Sequence, residues 1–202
     1  TLFAFLLYLL GRDKKNVWYY IVGVISFVSA LSVSEKVIVF PIILFFYEFA
    51  LGNLKVKWTK LIPYFTTSFF WGLTIFGRIG ERVEYLQRTN GTEKAVQLYN
   101  PLVQIPVALA KYFQLYFWPF GNTLYHSEFR MDLLKYSIIL LVFIIYLILF
   151  FIAYKKSKKI FFLMSFFTIS LLPTMNPFGL SWIVAERYAY FGSFGIYIIV
   201  AY

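Results

Sequence analysis

An all-α, polytopic membrane protein is the fold class this sequence predicts, and three observations predict it. Hydrophobic residues make up 61% of the chain and charged residues 14%, against about 45–50% and about 25% in a soluble domain. The apolar residues are gathered into successive runs with short polar breaks between them. The basic residues cluster in those breaks: Arg12, Lys14 and Lys15, then Lys55, Lys57 and Lys60, then Lys155, Lys156, Lys158 and Lys159. Cytoplasmic loops carry such clusters under the positive-inside rule. The same clustering argues against nucleic acid as a partner despite a net charge of +10, because no continuous basic stripe exists.

Thr1 to Leu10 is the first run and Phe194 to Tyr202 the last, and both look cut, as in a fragment of a longer chain. No basic segment or small-residue cleavage site marks a signal peptide. Residues 17–33 form the second run; Ser34-Glu35-Lys36 interrupts, and Val37 to Leu51 resumes, so two helices joined by a tight extracytoplasmic turn are expected. Leu61 to Phe76 is short against the roughly 20 residues of a spanning helix, with Pro63 in its first turn, where proline is tolerated. Residues 77–100 mix Arg78, Glu81, Arg82, Glu84 and Arg88 with glycines and read as the main outer loop. Asn90-Gly91-Thr92 there matches the glycosylation triplet, a pattern of low specificity.

Residues 101–120 carry Gln104, Pro106, Lys111 and Gln114 in an otherwise apolar, aromatic stretch. If this stretch crossed the membrane, the cluster from Lys155 to Lys159 would fall outside, so an interfacial or re-entrant helix is expected. Residues 121–134 form a second outer loop, Tyr136 to Tyr154 runs inward, and Ile160 to about Asn176 returns. Pro173 and Pro177 bracket the point where that last helix breaks. The expectation is a single transmembrane domain over residues 1–202 with about seven spanning helices, the first and last truncated.

Charge within apolar runs marks the candidate site. A charged side chain near a bilayer centre costs about 2.5–3.5 kcal/mol, so Glu186 and Arg187 belong at the membrane edge or in a wet cavity. They serve there either as a functional pair or as an ion pair that caps the last helix and sets its depth. The topology collects Glu35, both outer loops and this pair on one extracytoplasmic face. The chain has no cysteine and one histidine, His126, so thiolate and histidine-rich metal sites are not expected. G-x-G-x-x-G, Walker, H-E-x-x-H and G-x-S-x-G motifs are missing from the sequence, as are the matched broken helices of many transporters.

Three stretches add a resemblance. Val33-Ser34-Glu35-Lys36-Val37-Ile38-Val39-Phe40-Pro41 is followed by Phe46-Tyr47-Glu48; Asn100-Pro101 is followed by Lys111-Tyr112 and Trp118-Pro119; Val184-Ala185-Glu186-Arg187-Tyr188-Ala189-Tyr190 closes the series. In that order the chain resembles the GT-C multi-pass glycosyltransferases that carry TPR repeats, among them the transmembrane O-mannosyltransferases. Where that family commonly has Ser-Lys-Glu, this chain has Val33-Ser34-Glu35, with Lys36 one position later. The resemblance implies a GT-C-like fold, a catalytic aspartate upstream of Thr1 and TPR repeats beyond Tyr202. It implies transfer of a sugar from a polyprenyl-phosphate donor to a protein or glycan acceptor, outside a bacterial inner membrane. Arg187 then binds the donor phosphate through its planar fork, with Glu186 beside it. Lys111 is a second cation for the donor or snorkels to the headgroups, and Glu35 contacts acceptor or metal, or caps its turn. A transporter or flippase of lipid-linked sugar and a non-catalytic envelope scaffold are the alternatives.

Overall fold

Long runs of Leu, Ile and Phe satisfy their backbone polar groups most simply within one segment, and every regular element among the described residues is helical. A computed structural model describes residues 1–52, 58–89, 101–117, 133–174 and 186–201. The helices are α1 (Leu2–Lys14), α2 (Val17–Val33), α3 (Phe40–Ala50), α4 (Ile62–Thr89), α5 (Pro101–Phe117), α6 (Leu133–Lys156), α7 (Lys158–Leu171) and α8 (Glu186–Ala201). Short 3-10 turns at Glu35–Val39, Trp58–Lys60 and Leu172–Thr174 complete the set. The expected outer-loop residues 90–100 and 121–132, together with Lys55, Lys57 and Pro177, lie outside the described residues.

The chain divides into two compact units, Thr1–Arg78 and Ile79–Tyr202. In the first, α1 and α2 form a hairpin. Lys15 closes α1 in the left-handed region at φ 52°, and the Asn16 side chain caps α2 by accepting from the Trp18 N–H at 2.9 Å. The helices approach closely at small residues. A Cβ on Gly11 would lie 3.1 Å from Tyr19 Cβ, and one on Gly23 would lie 3.5 Å from Leu7 Cβ. The room each glycine leaves is taken by a tyrosine, the Tyr20 ring at Gly11 and the Tyr64 hydroxyl at Gly23. Pro41 sits in the first turn of α3, where its missing N–H costs nothing. Ala4, Tyr8, Phe27, Leu31, Phe40 and Tyr64 form the heart of this unit's core, with the Phe27 and Phe40 rings 5.2 Å apart.

Tyr64 is buried with its hydroxyl unbonded, 2.6 Å from where a Gly23 Cβ would stand. An unsatisfied buried hydroxyl costs about 1–3 kcal/mol. Tyr64→Phe is therefore expected to leave the thermal midpoint of the full chain in detergent unchanged or raised, and Gly23→Ala to lower it. A loss on Tyr64→Phe would mean that the hydroxyl has a partner.

In the second unit Phe167 of α7 is fully buried and gathers Phe113 at 5.2 Å and Tyr116 at 5.9 Å from α5. The Tyr146 hydroxyl of α6 lies 3.2 Å from the Met164 carbonyl and meets the Thr168 hydroxyl, tying α6 to α7. Pro173 falls in the 3-10 turn that ends α7, as its fixed φ and missing N–H dictate.

Several boundaries differ from the sequence expectation. Residues 77–89, expected in an outer loop, continue α4 as helix. Glu84 and Arg88 stand four apart with the acid first, and Arg78 and Glu81 three apart, spacings that support a helix. Gly77 and Gly80 weaken it by about 1 kcal/mol each without stopping it. Leu133 and Leu134, expected in the second loop, open α6. Helix α5 is packed into its unit. Val107, Ala108, Leu109 and Tyr112 are buried.

Among the described helices α6 alone is long and apolar enough to cross a bilayer, with α2 and Tyr190–Ala201 apolar but shorter. Helices of 11 to 17 residues fall below the roughly 20 that a rise of 1.5 Å per residue demands. The side chains of α6 point outward: Ile138, Leu141, Ile148 and Phe151 are each more than half exposed.

Candidate functional site

The sequence-predicted residues fall in both units. Glu35 opens the 3-10 turn Glu35–Val39 of the first, where an acid suits the positive end of a helical turn. Lys111 of α5 donates to Gln114 Oε1 at 2.8 Å. Glu186 and Arg187 form the start of α8, and of these two only the backbone is described. Helices α5 and α8 pack against each other in the second unit, with Tyr116 and Tyr197 in edge contact at 6.0 Å. The structure thus brings the helix of Lys111 to the helix of Glu186 and Arg187, and leaves Glu35 in the other unit.

A polar cluster that the sequence reading did not assign lies in the first unit. Glu48 of α3 is fully buried. Tyr8 of α1 donates its hydroxyl hydrogen to Glu48 Oε1 at 3.0 Å, and Arg12 Nε lies 3.9 Å from the same oxygen. Arg12 also donates from Nη1 to the Tyr47 hydroxyl at 2.8 Å and stands 5.3 Å from the centre of that ring, within cation–π range. The i, i+4 spacing of Tyr8 and Arg12 sets both on one face of α1, so one helix supplies a phenol and a guanidinium to one carboxyl group. Gly52 closes the cluster, because a Cβ there would collide with Glu48 Oε2.

The arrangement sets what the cluster can do. A carboxyl group without solvent access cannot meet a substrate unless the helices part, whereas Arg12 keeps 23% of its side chain exposed. Glu48 and Tyr47 therefore fix the guanidinium from behind while its outer side stays available. One sequence signal pointed there: Glu48 is an ionisable residue inside the apolar run Phe40–Ala50, a functional candidate by default in a membrane segment. No protein-family model, curated protein or solved structure matches the chain.

Proposed function

We propose that the chain belongs to an integral multi-pass membrane glycosyltransferase, one that moves a sugar from a polyprenyl-phosphate donor to a protein or glycan acceptor on the extracytoplasmic side of a bacterial inner membrane. The membrane part of this reading rests on α6, whose apolar side chains face outward over a spanning length. Exposed apolar surface of that extent is stable only against lipid or another protein. The transferase part rests on the three family-like stretches. The observation that carries it furthest is the position of Glu186 and Arg187 in the first turn of α8. A helix N-terminus offers unpaired N–H groups and a positive dipole end, and an arginine in that turn adds a permanent charge with a bidentate fork.

The test uses transfer assays on the full-length protein in membranes at matched expression. Arg187→Lys keeps the charge and removes the fork, so it is expected to weaken donor use while insertion and accumulation stay normal. If Arg187 only neutralises Glu186, then Glu186→Gln combined with Arg187→Gln restores much of what Arg187→Gln alone loses. Such rescue would overturn the phosphate-binding role.

A further inference from the structure

The loop between α1 and α2 borders a cavity of about 150 Å³ lined by Gly11, Arg12, Lys15, Val17, Tyr20 and Lys60. Three of these six residues are cationic and none is acidic. Arg12 is held in place by Glu48 and Tyr47, and Lys60 reaches in across the Tyr20 ring at 5.1 Å. Lys14 turns away, to the Tyr19 hydroxyl at 3.2 Å. Asp13, which follows Arg12 in the chain, does not line the cavity. With Arg12 offset by Glu48 and one lysine offset by Asp13, the pocket still carries net positive charge. Lys15 adopts the left-handed conformation that glycine or asparagine more usually takes at a helix end.

Helix α2, which lines the cavity with Val17 and Tyr20, also carries an apolar face. Trp18, Ile21, Val22, Ile25 and Val28 are all exposed, and their spacing lays them along one face of α2. The helix that supplies two residues to the cavity thus also offers a face on which an acyl chain can lie.

We infer that Arg12, Lys15 and Lys60 form a binding site for the phosphate of an anionic lipid headgroup, with the tail along α2. Basic pockets beside membrane helices on the cytoplasmic side hold such headgroups, and the basic clusters put this end of α1 there. The inference rests on the membrane reading above and is independent of the transferase chemistry.

The full chain in neutral detergent is titrated with dioctanoyl phosphatidic acid, dioctanoyl phosphatidylcholine or inorganic phosphate, with bound lipid counted by native mass spectrometry. Phosphatidic acid is expected to bind in preference to phosphatidylcholine. Lys15→Asn, which suits the left-handed conformation, and Lys60→Gln are each expected to weaken phosphatidic acid about fivefold, and together about twenty- to thirtyfold. The control Lys155→Gln with Lys156→Gln is expected to leave it unchanged. Equal loss in the control, or no loss in the pocket variants, would overturn the site. Inorganic phosphate displacing the lipid at equal concentration would assign the pocket to free phosphate and overturn the lipid. Alkaline carbonate extraction separates the two readings: release of the chain would overturn the membrane reading and this site with it, whereas retention with charge-independent lipid binding would overturn the site alone.

Discussion

Replacing Arg12 with methionine is expected to destabilise the first unit by about 3 kcal/mol, read as loss of thermal midpoint of the full chain in detergent. The figure is the low end of the range for removing one partner of a buried pair, about 3–5 kcal/mol, because Arg12 Nε stands 3.9 Å from Glu48 Oε1 rather than in close contact. The two partners are not equivalent. Arg12 is partly exposed and Glu48 fully buried, so an arginine left alone reaches water and a carboxyl group left alone does not. Glu48→Gln is therefore expected to cost only about 1 kcal/mol, since its amide oxygen still accepts from Tyr8. The double change Arg12→Met with Glu48→Gln is expected near the Glu48→Gln value, well above Arg12→Met alone. Additive losses would show that the two side chains are not coupled.

A second large effect is expected at Gly195 of α8. A Cβ there would stand 2.7 Å from the Leu163 carbonyl oxygen and 3.3 Å from the Phe167 nitrogen, both backbone atoms of α7. A helix backbone cannot give locally, so Gly195→Val must push α8 away from α7. Overpacking of this kind costs about 1–3 kcal/mol, and the rigid neighbours favour the upper end. Gly192, one turn earlier, is the comparator. Its Cβ would meet nothing nearer than 3.4 Å, at the Phe167 ring, and Gly192→Ala is expected to stay within about 0.5 kcal/mol of the parent. Equal losses at both positions, measured as thermal midpoints, would mean that the backbone contact at Gly195 does not set the cost, since helix propensity favours both replacements over glycine.

Most helices were legible because apolar runs and proline positions are local signals: Pro63 opens α4 and Pro173 ends α7 as their chemistry requires. The extension of α4 to Thr89 was hidden because Arg78, Glu81, Arg82, Glu84 and Arg88 signal polarity, and polarity alone does not distinguish a solvated helix from a loop. The Glu48 cluster was hidden for a different reason. Its partners lie 40 positions away at Tyr8 and 36 at Arg12, so no local spacing carries it. Arg12 looked like one member of a basic cluster, which it also is. Glu186 and Arg187 stand out in the sequence as a charged pair against an apolar run, and the backbone places them at the start of α8.

The separation of Tyr8 from Glu48 also has a consequence in time. At a synthesis rate of about 5–20 residues per second, a ribosome makes Glu48 about 2–8 seconds after Tyr8. Helices α1 and α2 adjoin in the chain and can pair within that interval, while Arg12 still lacks its carboxyl partner. The nascent hairpin therefore waits with a charged end, and arrival of α3 latches it. A pause in translation before Glu48 would therefore lengthen the time in which Tyr8 and Arg12 stand without this carboxyl group.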